Sequence, residues 1–254
     1  MITTTKLEIQ NILKQLGVAS GDILMLHSST YSLGQIEGGL SGLLNAIIDY
    51  VGEDGGLIVP TFSYSFRRNE VFDVKNTVAS NDMGAFSEFV RNSHLSFRSA
   101  DPLFSMSAIG ERIRPLLQRT SKNCFGEGSI YNELFNHDIK FMGMGISYST
   151  GMPGFMNIER LAEVPYRYEK FFYGQVIIES NSLVDDHAIH YIRNEENFNF
   201  LKMNREEMGL SLEKKRIAKS LNYGYGKHFC LEGKNWRDFV LEELLKNPFC
   251  MLHI

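Results

Sequence analysis

The sequence predicts an α/β fold, layered, with a mostly parallel central sheet flanked by helices and a smaller antiparallel addition toward the C-terminus. Three observations carry this. Short continuous apolar runs at Ile23–Leu26, in GLIVP from Gly56 and in IKFMGM from Ile139 each end in a polar loop, the form of strands buried on both faces. Between them lie segments with apolar residues at helical spacing, and such alternation points to helices packed on a largely parallel sheet. Beyond about Pro165 the pattern changes to the aromatic-rich runs YRYEKFFYGQVIIES and YGKHFCLEG, which read as antiparallel strands.

The elements follow in order. The N-terminal segment places Leu7, Ile9, Ile12, Leu13 and Leu16 on one side of a helix stopped by Gly17. After the first strand, Gly38 and Gly39 precede a helix with Leu43, Leu44, Ile47, Ile48 and Val51 on its apolar face. The second strand leads to a short helix, GAFSEFVR, and WRDFVLEELLKN reads as a closing amphipathic helix. Two packed regions are expected, residues 1–165 as an α/β core and 166–254 as a C-terminal α+β region. Neither repeats nor a Pro-rich linker interrupt them. In open α/β sheets ligands bind beyond the carboxyl ends of the strands, so His27–Ser29, Thr61–Ser63 and Ser147–Thr150 are expected to converge.

Composition narrows the function. The 254 residues carry 26 Lys+Arg against 30 Asp+Glu, without the basic excess of a phosphate-backbone binder, so no nucleic acid is expected as a partner. No stretch reaches the roughly 18 apolar residues of a membrane span, and the N-terminus lacks a signal-peptide core. No membrane partner and a cytoplasmic location are expected. Cys124, Cys230 and Cys250 form no CxxC pair and read as reduced thiols, and no HExxH, Walker A or EF-hand spacing proposes a metal.

Generic catalytic motifs are weak. Gly143-Met-Gly145-Ile-Ser-Tyr148 begins like a dinucleotide fingerprint, but Tyr148 stands at the third glycine. Gly145-Ile-Ser147-Tyr-Ser149 ends in Ser where a nucleophile elbow needs glycine.

A set of spaced blocks is more specific. GDILMLHSSTYSLGQIEGGLSGLLNAIIDYVGEDGGLIVPTFSYSF, MGAFSEFVR, RSADPLFSMSAIG, FGEGSIYNEL and IERLAEVPYR occur in that order from Gly21 to Arg167. Together they resemble the aminoglycoside 3-N-acetyltransferase family, of antibiotic N-acetyltransferase fold. A fainter echo in GYGKHFCLEG and WRDFVLEELLKNPF extends the resemblance over nearly the whole chain. It implies an acyl-CoA-dependent N-acyltransferase, with acetyl-CoA or a related acyl-CoA as donor bound by the core of residues 1–165, an amino sugar as acceptor in a pocket completed by residues 166–254, no metal, and a possible homo-oligomer.

The reaction needs a neutral amine, hence a proton acceptor. Where the family block reads RSxHPxxS this chain has Asp101, and where the later block reads HxxE it keeps Glu159 but carries Met156. Asp101, helped by Glu159, is the implied catalytic pair. Asp-Pro in place of His-Pro resembles a branch that acylates nucleotide-linked amino sugars for surface glycans, so a dTDP-linked amino-dideoxyhexose is the expected acceptor. From Gly151 to Ile254 there are 14 Lys+Arg against 15 Asp+Glu, without the acidic excess a polycationic antibiotic calls for. The alternatives are a true aminoglycoside 3-N-acetyltransferase and a degenerate member that binds CoA or sugar without turnover.

The donor-binding set is expected to be His27, Ser28, Ser29, Gly38, Gly39, Thr61 and Ser105, with the Gly38-Gly39 helix start as an anion cradle and the hydroxyls as hydrogen-bonding groups. Tyr64, Arg98, Arg160 and Arg167 are the expected acceptor-binding residues. Blander readings stand beside these: Asp101 as an Asx turn before proline, Glu159 as a solvated helix residue, and His187 and His190 as structural rather than ligating. Cys124 reads as a small buried side chain, and Phe171, Phe172 and Tyr173 as core.

Overall fold

A computed structural model describes residues 2–178 and 182–253. In chain order its principal elements are α1 (Lys6–Gln15), β1 (Ile23–Ser28), α2 (Gly39–Val51), β2 (Gly56–Pro60), β3 (Phe72–Asp73), α3 (Gly84–Arg91), β4 (Phe97–Arg98) and β5 (Met106–Ile109). They continue as α4 (Ile130–Asn136), β6 (Ile139–Met144), α5 (Gly154–Leu161), β7 (Arg167–Ile177), β8 (Leu183–Arg193), α6 (Arg205–Lys214), β9 (Ala218–Tyr223), β10 (Gly226–Glu232) and α7 (Gly233–Lys246).

The seven-stranded sheet runs β9-β10-β6-β1-β2-β5-β4. Its centre is parallel, with β1 flanked by β6 and β2. Antiparallel strands extend it on both sides, β10 and β9 beyond β6, β5 and β4 beyond β2. The C-terminal region therefore contributes two strands to the same sheet as the N-terminal core. Strand alternation divides the apolar runs between two faces. Met25, Ile58 and Phe141 point into one core with α4, α5 and α7, while Leu24, Leu26, Leu57, Val59, Met142 and Met144 point into the other with α1, α2 and α3.

The capping box of Thr5 and Glu8 starts α1. Its buried side is Ile9, Ile12, Leu13 and Leu16, whereas Leu7, expected with them, is 67% exposed. The GxG of β6 has a packing explanation. A Cβ on Gly143 would lie 2.3 Å from the Phe229 ring of β10, and one on Gly145, at φ +70°, would lie 2.0 Å from Ser32 Oγ. Close approach of β10 and the loop after β1 demands both glycines.

β7 and β8 form a long antiparallel hairpin, paired from Arg167↔Arg193 to Ile177↔Leu183, with β3 along β7. Phe172 and His190 face inward against the core, but Phe171 and Tyr173 lie on the outer side, 47% and 64% exposed. The expectation of three core aromatics here fails because adjacent strand residues point to opposite faces. Among the described residues no helix is long and apolar enough to cross a membrane.

Candidate functional site

Two concavities adjoin at Met156 on α5. The first, a cleft of about 260 Å³, lies beyond the carboxyl ends of β1 and β2. Its walls include His27, Ser28, Phe62, Tyr64, Asp82, Thr150 and Arg205. The second, an open cavity of about 690 Å³, lies against the inner face of the hairpin and includes Arg67, Arg167, Tyr168, His190 and Arg193. The sequence expectation of convergence at the strand ends is met by His27, Ser28 and Thr150, and Met156 occupies the position where the family block carries histidine.

Glu159 sits between the two concavities. It is fully buried and accepts a hydrogen bond from Tyr166 Oη (2.9 Å) and one from Arg205 Nη2 (2.9 Å). Arg167 Nε lies 3.0 Å from the same Oε2, a close ion contact rather than an aligned hydrogen bond. One carboxylate thus holds an arginine at each opening, Arg205 in the cleft and Arg167 in the cavity. Burial draws the Arg205 pKa below the usual guanidinium value, against the pull of Glu159.

The cleft is largely apolar, with Pro60, Phe62, Met83, Ile146, Met152 and Pro153 in its wall. Ser28 Oγ is buried there without a partner. His27 is 5% exposed, and burial pulls its pKa down to about 3, which keeps the ring neutral. Asp82 is the only carboxylate in the cleft wall among the described residues.

Other expected site residues stand elsewhere. Asp101 is 3% exposed and lines neither concavity. Its Oδ1 accepts the backbone N–H groups of Leu103 and Phe104, both at 2.8 Å, which is the Asx turn before proline. Burial raises its pKa, opposed by Arg119 and by those two amides. Asp101 and Glu159 share no hydrogen bond: Asp101 caps its own turn, and Glu159 braces two arginines.

Thr61, Ser105 and Arg98 were expected to touch substrates. In the structure they form a hydrogen-bonded knot at the ends of β2 and β5, with Thr61 and Ser105 buried and Arg98 partly so, that lines neither concavity. Ser105 Oγ donates to Thr61 O at 2.6 Å, and Arg98 donates to Ser105 Oγ at 3.1 Å and to Thr61 O. Arg160 pairs with Glu169 at 2.6 Å and lines neither concavity. Ser29, Gly38 and Gly39 are also outside the lining, although the start of α2 lies on the strand-end side of the sheet, with Gly38 left-handed at φ +71°. Short polar side chains near strand ends satisfy each other when a second strand lies within reach, and sequence spacing does not reveal that strand.

Arg67, Asp82, Arg193 and Arg205 were not anticipated. Arg67 and Asp82 stand on short helical turns, Arg193 at the hairpin end and Arg205 on α6, and only the tertiary arrangement places Asp82 and Arg205 in the cleft and Arg67 and Arg193 in the cavity. Asp186, next to His187, is paired with Arg119 and Lys122, and no group of residues suited to a metal ion occurs among the described residues. Cys124 is buried and its thiol pKa is raised well above the ordinary value by that burial, as a structural side chain requires.

The family model described as aminoglycoside 3-N-acetyltransferase matches residues 25–244. Aminoglycoside N(3)-acetyltransferase III of Pseudomonas aeruginosa is 28% identical over 127 residues, covering 44% of this chain and 47% of that protein. Aminoglycoside N(3)-acetyltransferase IV of a Salmonella species is 34% identical over 113 residues, covering 44% and 42%. The matched stretch thus spans less than half of each of these relatives. Among solved structures, AAC-IIIb in binary complex with CoASH superposes with a TM-score of 0.83 at 18% identity, over 96% of this chain and 97% of that one. AAC-VIa bound to sisomicin gives 0.80 at 20% identity, over 95% and 97%.

Proposed function

This chain belongs to the aminoglycoside 3-N-acetyltransferase family, and from that premise we propose that it transfers an acetyl group from acetyl-CoA to an amine of an amino sugar, with an aminoglycoside as the first acceptor to consider. The observation that carries the reading is the apolar cleft at the strand ends, with the unpartnered Ser28 hydroxyl in its wall. A narrow apolar passage suits a pantetheine arm, and an orphaned buried hydroxyl awaits a polar group of the donor. A relative of the same fold is known in complex with CoASH, which supports placing the donor here.

In this reading the amine attacks the thioester carbonyl directly. The C–N bond forms, the C–S bond breaks, and the sulfur leaves as CoA thiol, taking up the proton that the attacking nitrogen sheds. Asp82 takes the substrate ammonium and passes its proton to solvent at the open mouth, while Arg205, fixed by Glu159, offers N–H groups to the developing oxyanion. No acyl-enzyme is required.

The relatives' names support the aminoglycoside acceptor better than the nucleotide-linked sugar expected from the Asp-Pro block. The test is thiol release from acetyl-CoA with gentamicin, sisomicin and a dTDP-linked amino-dideoxyhexose offered separately. Release with an amine acceptor supports the reading. Absence of release with every acceptor, by a protein that still binds CoA, would favour the degenerate binder.

A further inference from the structure

Three of the apolar side chains in the wall of the strand-end cleft are thioethers, those of Met83, Met152 and Met156. Met152 is 1% exposed, whereas Met83 and Met156 are half-buried and pack against the core. A thioether chain is unbranched and polarizable, so a wall containing three of them reshapes around apolar guests of different length. Among the described residues Met156 alone belongs to the walls of both concavities. At that point the cleft is bounded by a flexible side chain, and the open cavity adjoins it.

Arg205 locates the thioester. Its guanidinium lies over the Phe155 ring at 5.4 Å, which puts it beside the first turn of α5. The residues of that turn, and of the segment entering it, that stand closest to α5 in the cleft wall are Met152, Pro153 and Met156, and none carries a hydrogen-bond donor in its side chain. The pantetheine arm of a CoA thioester contains amides, which need the polar part of the wall, where Ser28 and Thr150 stand. An acyl tail needs no polar partner. With the carbonyl at Arg205, the arm takes the polar part and the tail is left with the methionines.

We infer that Met83, Met152 and Met156 form a pocket for the acyl group of the donor, and that this chain transfers propionyl and butyryl groups more efficiently than acetyl. The inference rests on the acyl-transfer reading and names its donor class, with acetyl as the shortest case. Each methylene buried among the thioethers contributes a factor of about three to four. A tail that reaches past Met156 meets the guanidinium groups of Arg67, Arg167 and Arg193 in the adjoining wall and gains nothing further.

Acetyl-, propionyl-, butyryl- and octanoyl-CoA are titrated calorimetrically into the whole chain, and thiol release from each is followed with sisomicin and gentamicin. Affinity is expected to rise about threefold to fourfold per methylene from acetyl to butyryl and to level off by octanoyl, with kcat/KM in the same order. Met156→Gln, similar in length but polar, is expected to bring the butyryl-to-acetyl ratio from about tenfold to near one, and Met156→Leu to keep it. Met83→Gln is expected to act in the same direction as Met156→Gln, and thermal unfolding checks that each variant is folded. Affinity that is flat or falls from acetyl to butyryl, or a ratio unchanged in both glutamine variants, overturns the pocket. Turnover confined to acetyl-CoA removes this inference and leaves acyl transfer standing, whereas the expected affinity series without turnover of any donor does the reverse. Absence of binding by every acyl-CoA overturns both.

Discussion

Glu159 and Arg205 form a buried ion pair, Oε2 to Nη2 2.9 Å, with the carboxylate fully inaccessible and the arginine side chain 10% exposed. Because Tyr166 and Arg167 approach the same carboxylate, its removal strands two guanidinium charges at once. Glu159→Ala is expected to lower unfolding free energy by about 3–5 kcal/mol, the range for breaking a buried pair, in urea denaturation. A loss under about 1 kcal/mol together with abolished turnover would give Glu159 a direct role toward substrate instead of a bracing one.

Asp101→Asn separates the two readings of the aspartate. An asparagine Oδ1 can accept the same two amides, and the substitution removes a carboxylate whose ionisation burial disfavours. We expect unchanged or higher stability at neutral pH and turnover close to that of the parent chain. Retained stability with turnover lost would return Asp101 to the proton route implied by the family block.

Stability should fall on acidification. Burial lowers the pKa of His27 and of His190 to about 3, while the unfolded chain titrates near 6.5. The unfolded state therefore binds more protons between these values, so this contribution is complete above pH 6.5 and is lost as pH falls toward 3. The slope is at most about 1.4 kcal/mol per pH unit for each ring. His190→Phe should flatten the profile measured by denaturation at stepped pH, and an unaltered slope would mean that His190 is not a source of it.

Within the cleft, Ser28→Ala should raise the KM for acetyl-CoA by about two- to tenfold, the worth of one neutral hydrogen bond, with little change in kcat. Asp82→Asn should act chiefly on kcat, and its effect should shrink as pH rises and free amine becomes available without assistance. Steady-state thiol release across pH checks both. Equal pH profiles for Asp82→Asn and the parent chain would take the carboxylate out of proton transfer.

Periodicity and order determined much of this protein by themselves. The apolar runs at Ile23, Gly56 and Ile139 became β1, β2 and β6 because a strand covered on both faces must be apolar throughout. GAFSEFVR became α3 with the bounds its spacing indicates, and the strand ends at His27 and Ser28 opened into the cleft. The spaced blocks carried the family, since local patterns in a fixed order survive without knowledge of contacts.

Only the tertiary structure decided what each polar residue does. Thr61 and Ser105 look like ligand groups until β5 lies beside β2 and the two satisfy each other. Asp101 occupies a catalytic position by block order, yet the chain turns back so that its own amides reach the carboxylate first. Arg67 and His190 are 123 residues apart in sequence, and they meet only because the hairpin packs against the turn that carries Arg67. Backbone pattern depends on neighbours along the chain, whereas the function of a charge depends on which groups meet it in space.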